Sequence, residues 1–222
     1  MIDIHVGAFI EPNFAENAYV VSTAGAAQCW IVDPGLPPSV AQICGHVSER
    51  NLTPIAIVLT HAHADHIAGI PEVLSAFGDL PVYLADEEER FLGDPGENLS
   101  INVGLALRID VPERRGLAPG DTLTLNGTSW RILDASGHSP GGRALYCAAA
   151  ATAIVGDALF AGSIGRTDFH HSNHAQLMRN IHTHLMSLPD DTLVYSGHGP
   201  RTTIGRERRS NPFLVTESPT EI

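Results

Sequence analysis

The chain has 222 residues, 43% hydrophobic and 17% charged, with 13 Lys and Arg against 25 Asp and Glu for a net charge of −12. That composition excludes a disordered or collagen-like chain, and the length is enough to bury a core without disulfides. The acidic balance repels a phosphate backbone, so no nucleic-acid substrate is expected.

No apolar run approaches the roughly 18 residues of a membrane helix, so no membrane partner is expected either. Cys29, Cys44 and Cys147 are odd in number and lack CxxC spacing, which fits buried small hydrophobes rather than a disulfide framework or thiolate site. The N-terminus shows no basic segment followed by an apolar core. A cytoplasmic location is the expectation.

In chain order, residues 2–6, 18–22 and 29–32 are short apolar runs bounded by Gly, Pro, Asn or Asp, the pattern of strands and turns. Residues 39–50 carry Val40, Ile43 and Val47 at helical spacing after Pro37-Pro38 and predict a helix. Residues 55–59 form a β-branched run suited to a strand buried on both faces. A helix is expected from Ile67 to about Gly78, then a strand over 82–84 and a helix over 86–92. Residues 93–120, rich in Gly, Pro and charge, read as loops with a substrate-facing edge.

A period of two returns at residues 122–125, 129–133, 143–146 and 152–155, predicting four strands. Residues 175–188 suit an amphipathic helix and 192–195 a last strand. Arg206, Arg208 and Arg209 read as a solvated tail. With no repeat or linker, residues 1–222 are expected to form one domain. Strands followed by helix, twice over, predict an α/β fold, an αββα sandwich of two mixed β-sheets flanked by helices.

Twelve histidines stand out in this composition. The strand at 55–59 delivers the chain into Thr60-His61-Ala62-His63-Ala64-Asp65-His66. In an extended segment residues two apart point the same way, so His61 and His63 can share one ion while Asp65 and His66 face a second. Imidazole with carboxylate suits Zn, Fe or Mn rather than Ca or Mg. Three more candidate ligands follow strands: His138 in Ser-Gly-His-Ser-Pro-Gly-Gly, Asp157 after Val155-Gly156, and His198 in Gly-His-Gly. His170, His171, His174, His182 and His184 crowd one predicted helix and read as a solvated polar face.

These motifs resemble those of the metallo-β-lactamase superfamily, and the resemblance covers nearly the whole chain. It implies that His61, His63 and His138 hold one ion, that Asp65, His66 and His198 hold another, and that Asp157 bridges them. Two divalent ions are implied, zinc first, with iron or manganese as alternatives. Residues 156–169 and 197–214 are similar to small hydroxyacylglutathione hydrolases, or type II glyoxalases. Asp157 stands where two-zinc β-lactamases carry a cysteine. Only 24 residues (222 − 198) follow His198, so a short form without the glyoxalase C-terminal helical domain is implied.

The expected activity is hydrolysis of a small-molecule thioester by a hydroxide held between the ions, with Asp65 and Asp157 as catalytic carboxylates. A thiolate, pKa about 8.5, departs with little protonation, whereas an amine leaving group needs an acid that the motifs do not supply. Arg166 is the candidate to meet a substrate carboxylate through its guanidinium fork. The rival readings are a mononuclear-iron persulfide dioxygenase using His61, His138 and Asp157, a lactonase, and a metal-dependent nuclease.

Overall fold

The computed structural model describes residues 3–215. β1 (Ile4–Ile10) pairs antiparallel with β2 (Asn17–Thr23), and β3 (Gln28–Val32) pairs antiparallel on the other side of β2. The chain then crosses through α1 (Ser39–Glu49) to β4 (Thr53–Val58), parallel to β3. Short α2 (Ala64–Ile67) and α3 (Ile70–Phe77) lead to β5 (Pro81–Leu84), and β6 (Glu113–Gly116) closes the sheet, both again parallel.

The second sheet opens with an antiparallel meander of β7 (Thr122–Leu125), β8 (Thr128–Asp134), β9 (Arg143–Cys147) and β10 (Thr152–Gly156). Asn126 and Gly127, at φ 50° and 80°, make the two-residue turn that a right-twisted hairpin requires. A small hairpin, β11 (Leu159–Phe160) and β12 (Ser163–Ile164), precedes α4 (His174–Asn180). β13 (Leu193–Ser196) runs parallel to β10, and β14 (Thr202–Thr203), α5 (Ile204–Ser210) and α6 (Pro212–Val215) complete the layer. The strand orders are β1-β2-β3-β4-β5-β6 and β14-β13-β10-β9-β8-β7.

Side chains alternate across each strand, so the central strands must be apolar on both faces. Tyr19, Val21, Trp30 and Val58 point between the sheets, against Trp130, Ile132, Leu145 and Ile154. Their neighbours Ala18, Val20, Ile31 and Ile57 point outward, against Val40, Ile43 and Val47 of α1 and Ile70 and Val73 of α3. On the opposite outer face Leu177 and Met178 of α4, with Ile204 of α5, cover Ala144, Ala153, Val155 and Val194. The αββα sandwich is therefore present, with three apolar layers.

Several elements differ from expectation. Residues 86–92 form a 3-10 helix, and α4 passes into a π-turn at Ile181–Leu185. The expected helix from Ile67 is interrupted at Gly69, where a Cβ would sit 2.4 Å from Gly35 O and 2.4 Å from Val40 Cγ2. The stretch 93–120 holds a strand, β6, whose Glu113-Arg114-Arg115 carry no apolar signal because they lie at a sheet edge. Arg206, Arg208 and Arg209 are not a solvated tail. They belong to α5, where Arg208 donates to the carbonyls of Met186 (2.6 Å) and Leu188 (2.9 Å) and Arg209 pairs with Asp190 (3.2 Å). The expected first strand starts at Ile4, and Ile2 lies outside the described residues.

Candidate metal centre

All seven predicted ligands meet at the ends of β4, β8, β10 and β13. Donor atoms of His61, His63 and His138 lie within 4.8 Å of one another, as do those of Asp65, His66 and His198. Asp157 stands between the groups, its Oδ2 3.5 Å from both His138 Nε2 and His198 Nε2 and its Oδ1 3.6 Å from His66 Nε2. Asp65 Oδ2 is 3.3 Å from His198 Nε2.

Each ring is oriented by the bond its other nitrogen makes. His138 Nδ1 donates to Arg166 O at 2.8 Å and His198 Nδ1 to Phe14 O at 3.1 Å. Both rings therefore turn Nε2 to the centre. His66 Nδ1 meets Asp33 Oδ2 at 3.1 Å, and His61 Nδ1 meets Thr60 Oγ1 at 3.2 Å. His63 is reversed: its Nε2 contacts His171 Nε2 at 2.9 Å, and its Nδ1 faces His138 Nε2 at 3.0 Å.

Charge divides the two groups. Burial, reinforced by the neighbouring imidazoles, holds His61 and His63 well below the ordinary histidine pKa, and burial lowers His138 as well. Burial opposes charge on His66 and His198 too, but Asp65, Asp157 and Asp33 around His66, and Asp65 and Asp157 around His198, outweigh it and raise both. Burial would raise Asp65; His66, His198 and His63 together hold it well below the usual carboxylate range.

The donor set fits divalent cations on an independent observation. His61 Nε2, His66 Nε2 and Asp157 Oδ1 are buried and have no hydrogen-bond partner. Orphaned buried donors of this kind cost free energy, and several converging on one space are the arrangement a cation satisfies.

Sequence reasoning missed the residues that hold this centre. Asp33, just after β3, accepts from Thr60 N (2.7 Å) and Thr60 Oγ1 (2.6 Å) besides facing His66. Its Val32-Asp33-Pro34-Gly35 setting, a carboxylate closing an apolar strand, is the same signal that marked Asp157. Glu88, fully buried, accepts from Ala62 N (2.5 Å) and Gly141 N (2.7 Å), joining the two loops that carry His63 and His138. Asn17 Nδ2 donates to Ser196 O (3.0 Å) and Gly199 O (2.8 Å), fixing the His198 loop. Glu16 is buried 4.0 Å from His66 Nδ1, and burial raises its carboxyl.

His171 is not part of a solvated face, since it braces His63. Arg166 lines the same cavity as the donors, but its guanidinium is already held by Asp168 through two 2.7 Å bonds and lies 4.6 Å over the Phe169 ring. Within 93–120, Asn98, Leu99, Asn102, Val103 and Leu105 line a cavity of about 460 Å³ that opens from the centre.

Residues 12–198 match the model of the Metallo-beta-lactamase superfamily. The chain belongs to that superfamily. It is 42% identical over 201 residues to the "Probable metallo-hydrolase YqgX" of Bacillus subtilis, covering 89% of this chain and 92% of that protein. It is 35% identical over 190 residues to "Hydroxyacylglutathione hydrolase GloC" of Haemophilus influenzae, covering 85% and 88%.

Among solved structures, it is similar to the BLEG-1 B3 metallo-beta-lactamase at TM-score 0.87 and 37% identity, covering 95% of this chain and 99% of that one. It is also similar to TTHA1623 in a di-iron-bound form, at TM-score 0.82 and 36% identity, covering 94% and 100%. The metallo-beta-lactamase fold and metallo-hydrolase class follow from these matches. No described helix is long and apolar enough to cross a membrane.

Proposed function

We propose that this chain is a binuclear metal-dependent hydrolase of small-molecule thioesters, with His61, His63 and His138 holding one divalent ion, Asp65, His66 and His198 a second, and Asp157 shared. The observation that carries it is the pair of donor groups on either side of Asp157, with three orphaned donor atoms aimed between them. Bound divalent ions would supply a polarised carbonyl and a water acidified to a pKa of about 7. The carboxylates of Asp65 and Asp157 border that space, beside His198 Nε2, and would orient the water by accepting its hydrogen bonds.

Among the described cavity-lining side chains, the one titratable group outside the seven proposed ligands is the Arg166 guanidinium, which has no proton to give at neutral pH. A thiolate leaves without such a donor, and an amine does not, which favours thioesters over amides. The di-iron state of one relative and the hydroxyacylglutathione hydrolase name of another support the same reading. Zinc is the proposed metal, with iron or manganese as alternatives.

The test is metal analysis of the purified protein together with turnover of S-lactoylglutathione and simple acyl thioesters. Two ions per chain and thioester cleavage are expected. One iron per chain with oxygen uptake on a persulfide, or two ions with no thioester cleaved, overturns the proposal.

A further inference from the structure

Beyond the proposed ligands, the cavity wall is mainly apolar, with Phe14, Leu99, Val103, Leu105, Phe160 and Ile164 among its members, and is interrupted by Asn98, Asn102, Ser163 and Arg166. Several remain open to solvent: Val103 is 47% exposed, Leu105 40% and Phe14 39%. Single exposed apolar residues carry little meaning, but a group of them around a polar centre marks a ligand site. The segment that presents them is pinned. Asn98 O accepts from Ala64 N at 2.9 Å, within the ligand loop itself, and Asn98 Nδ2 donates to Phe91 O (2.7 Å) and Leu107 O (3.1 Å). Leu99 is held at φ 66°, a left-handed conformation costly for a bulky side chain.

The wall away from the centre also carries no unpaired cationic side chain. The chain contains no lysine, so all 13 of its basic side chains are arginines. Of the arginines only Arg166 reaches the cavity wall, and its Nε–Nη2 edge is paired with the Asp168 carboxylate, which balances its charge. A substrate carboxylate lying along this wall, away from the metal centre, would leave water for an apolar surface with no unpaired positive side chain to receive it.

We infer that the acyl group this site accepts is an uncharged alkyl chain, laid from the metal centre along Leu99, Val103 and Leu105, with the thiol carrier directed to solvent. The inference rests on the thioester reading above and specifies its substrate class.

The holoenzyme is assayed with acetyl, butyryl, hexanoyl and succinyl thioesters of N-acetylcysteamine, an uncharged carrier, and with S-lactoylglutathione. kcat/KM is expected to rise about fourfold per methylene buried, and butyryl to exceed its carboxylate counterpart succinyl by about tenfold. Leu105→Asp and Val103→Asp are expected to lower the hexanoyl-to-acetyl ratio by about tenfold. That ratio is taken within one protein preparation, so it does not depend on how much of a variant folds. Equal rates across chain length, succinyl matching butyryl, or S-lactoylglutathione as the best substrate overturns this inference and leaves the thioester reading standing. No cleavage of any of the five overturns both.

Discussion

Gly197 precedes His198 and packs directly on Asp157. A Cβ added there would lie 2.1 Å from Asp157 Oδ1, 2.8 Å from His66 Cε1 and 3.2 Å from Gly156 C. The Gly197 backbone is not in the left-handed region, so Gly197→Ala acts through this collision alone. Restoring a close C···O contact of about 3.3 Å from 2.1 Å requires the Asp157 carboxylate to retreat by about 1.2 Å. Asp157 lies within 3.6 Å of members of both donor groups, so its retreat spreads the whole centre.

Overpacking of this kind costs about 1–3 kcal/mol, and Tm should fall by roughly 2–4 °C for each kcal/mol in a chain of this size. A reacting geometry displaced by about 1 Å loses on the order of 100-fold in rate. Metal content by mass spectrometry, thermal melting and kcat/KM on an acyl thioester measure the three effects. Gly199→Ala is the matched control: nothing lies within 4 Å of its Cβ, but its φ of +75° is costly for alanine. It should lose about 1 kcal/mol of stability and keep its metal. A Gly197→Ala protein with full metal content and kcat/KM within about twofold of the parent would refute the assignment of Asp157 as the shared ligand.

Asp33→Asn keeps the side-chain shape but replaces one acceptor oxygen, so either Thr60 or His66 loses its partner; metal affinity should drop about 10–100-fold, read by competition with a chelator. Trp130, 0% exposed and edge-on to Trp30 at 6.0 Å between the sheets, should cost about 3–5 kcal/mol as Trp130→Ala, measured by urea unfolding. Burial pushes the Cys29 thiol from about 9 up to about 12. The stability this contributes is intact below pH 9 and lost as pH rises toward 12, since the unfolded chain releases the proton first. A Cys29→Ala protein should therefore show a shallower alkaline decline in denaturation midpoint than the parent, and identical declines would contradict the burial argument.

Local pattern carried much of this molecule. The αββα order was legible because both-face burial demands unbroken apolar runs such as Ile55 to Leu59, and because Asn126-Gly127 can only turn a hairpin. The seven donor positions were legible because each ends a strand or follows one within a few residues, where spacing alone says which side chains can face together. Short edge elements were not: β14 has two residues and β6 is mostly charged, so neither shows a period.

What tertiary structure alone decided are the pairings between distant segments. Asp33 reaches Thr60 across 27 residues, Glu88 reaches Gly141 across 53, His171 reaches His63 across 108 and Asn17 reaches Gly199 across 182. A buried carboxylate or amide has no signature along the chain, because what it satisfies is a donor or acceptor brought to it by folding. The same is true of Arg166, whose availability depended on where Asp168 pointed, and of the apolar wall of Leu99, Val103 and Leu105. Residue type told which side chains can bind a cation, and the packing of two sheets determined which nitrogen of each ring faces it.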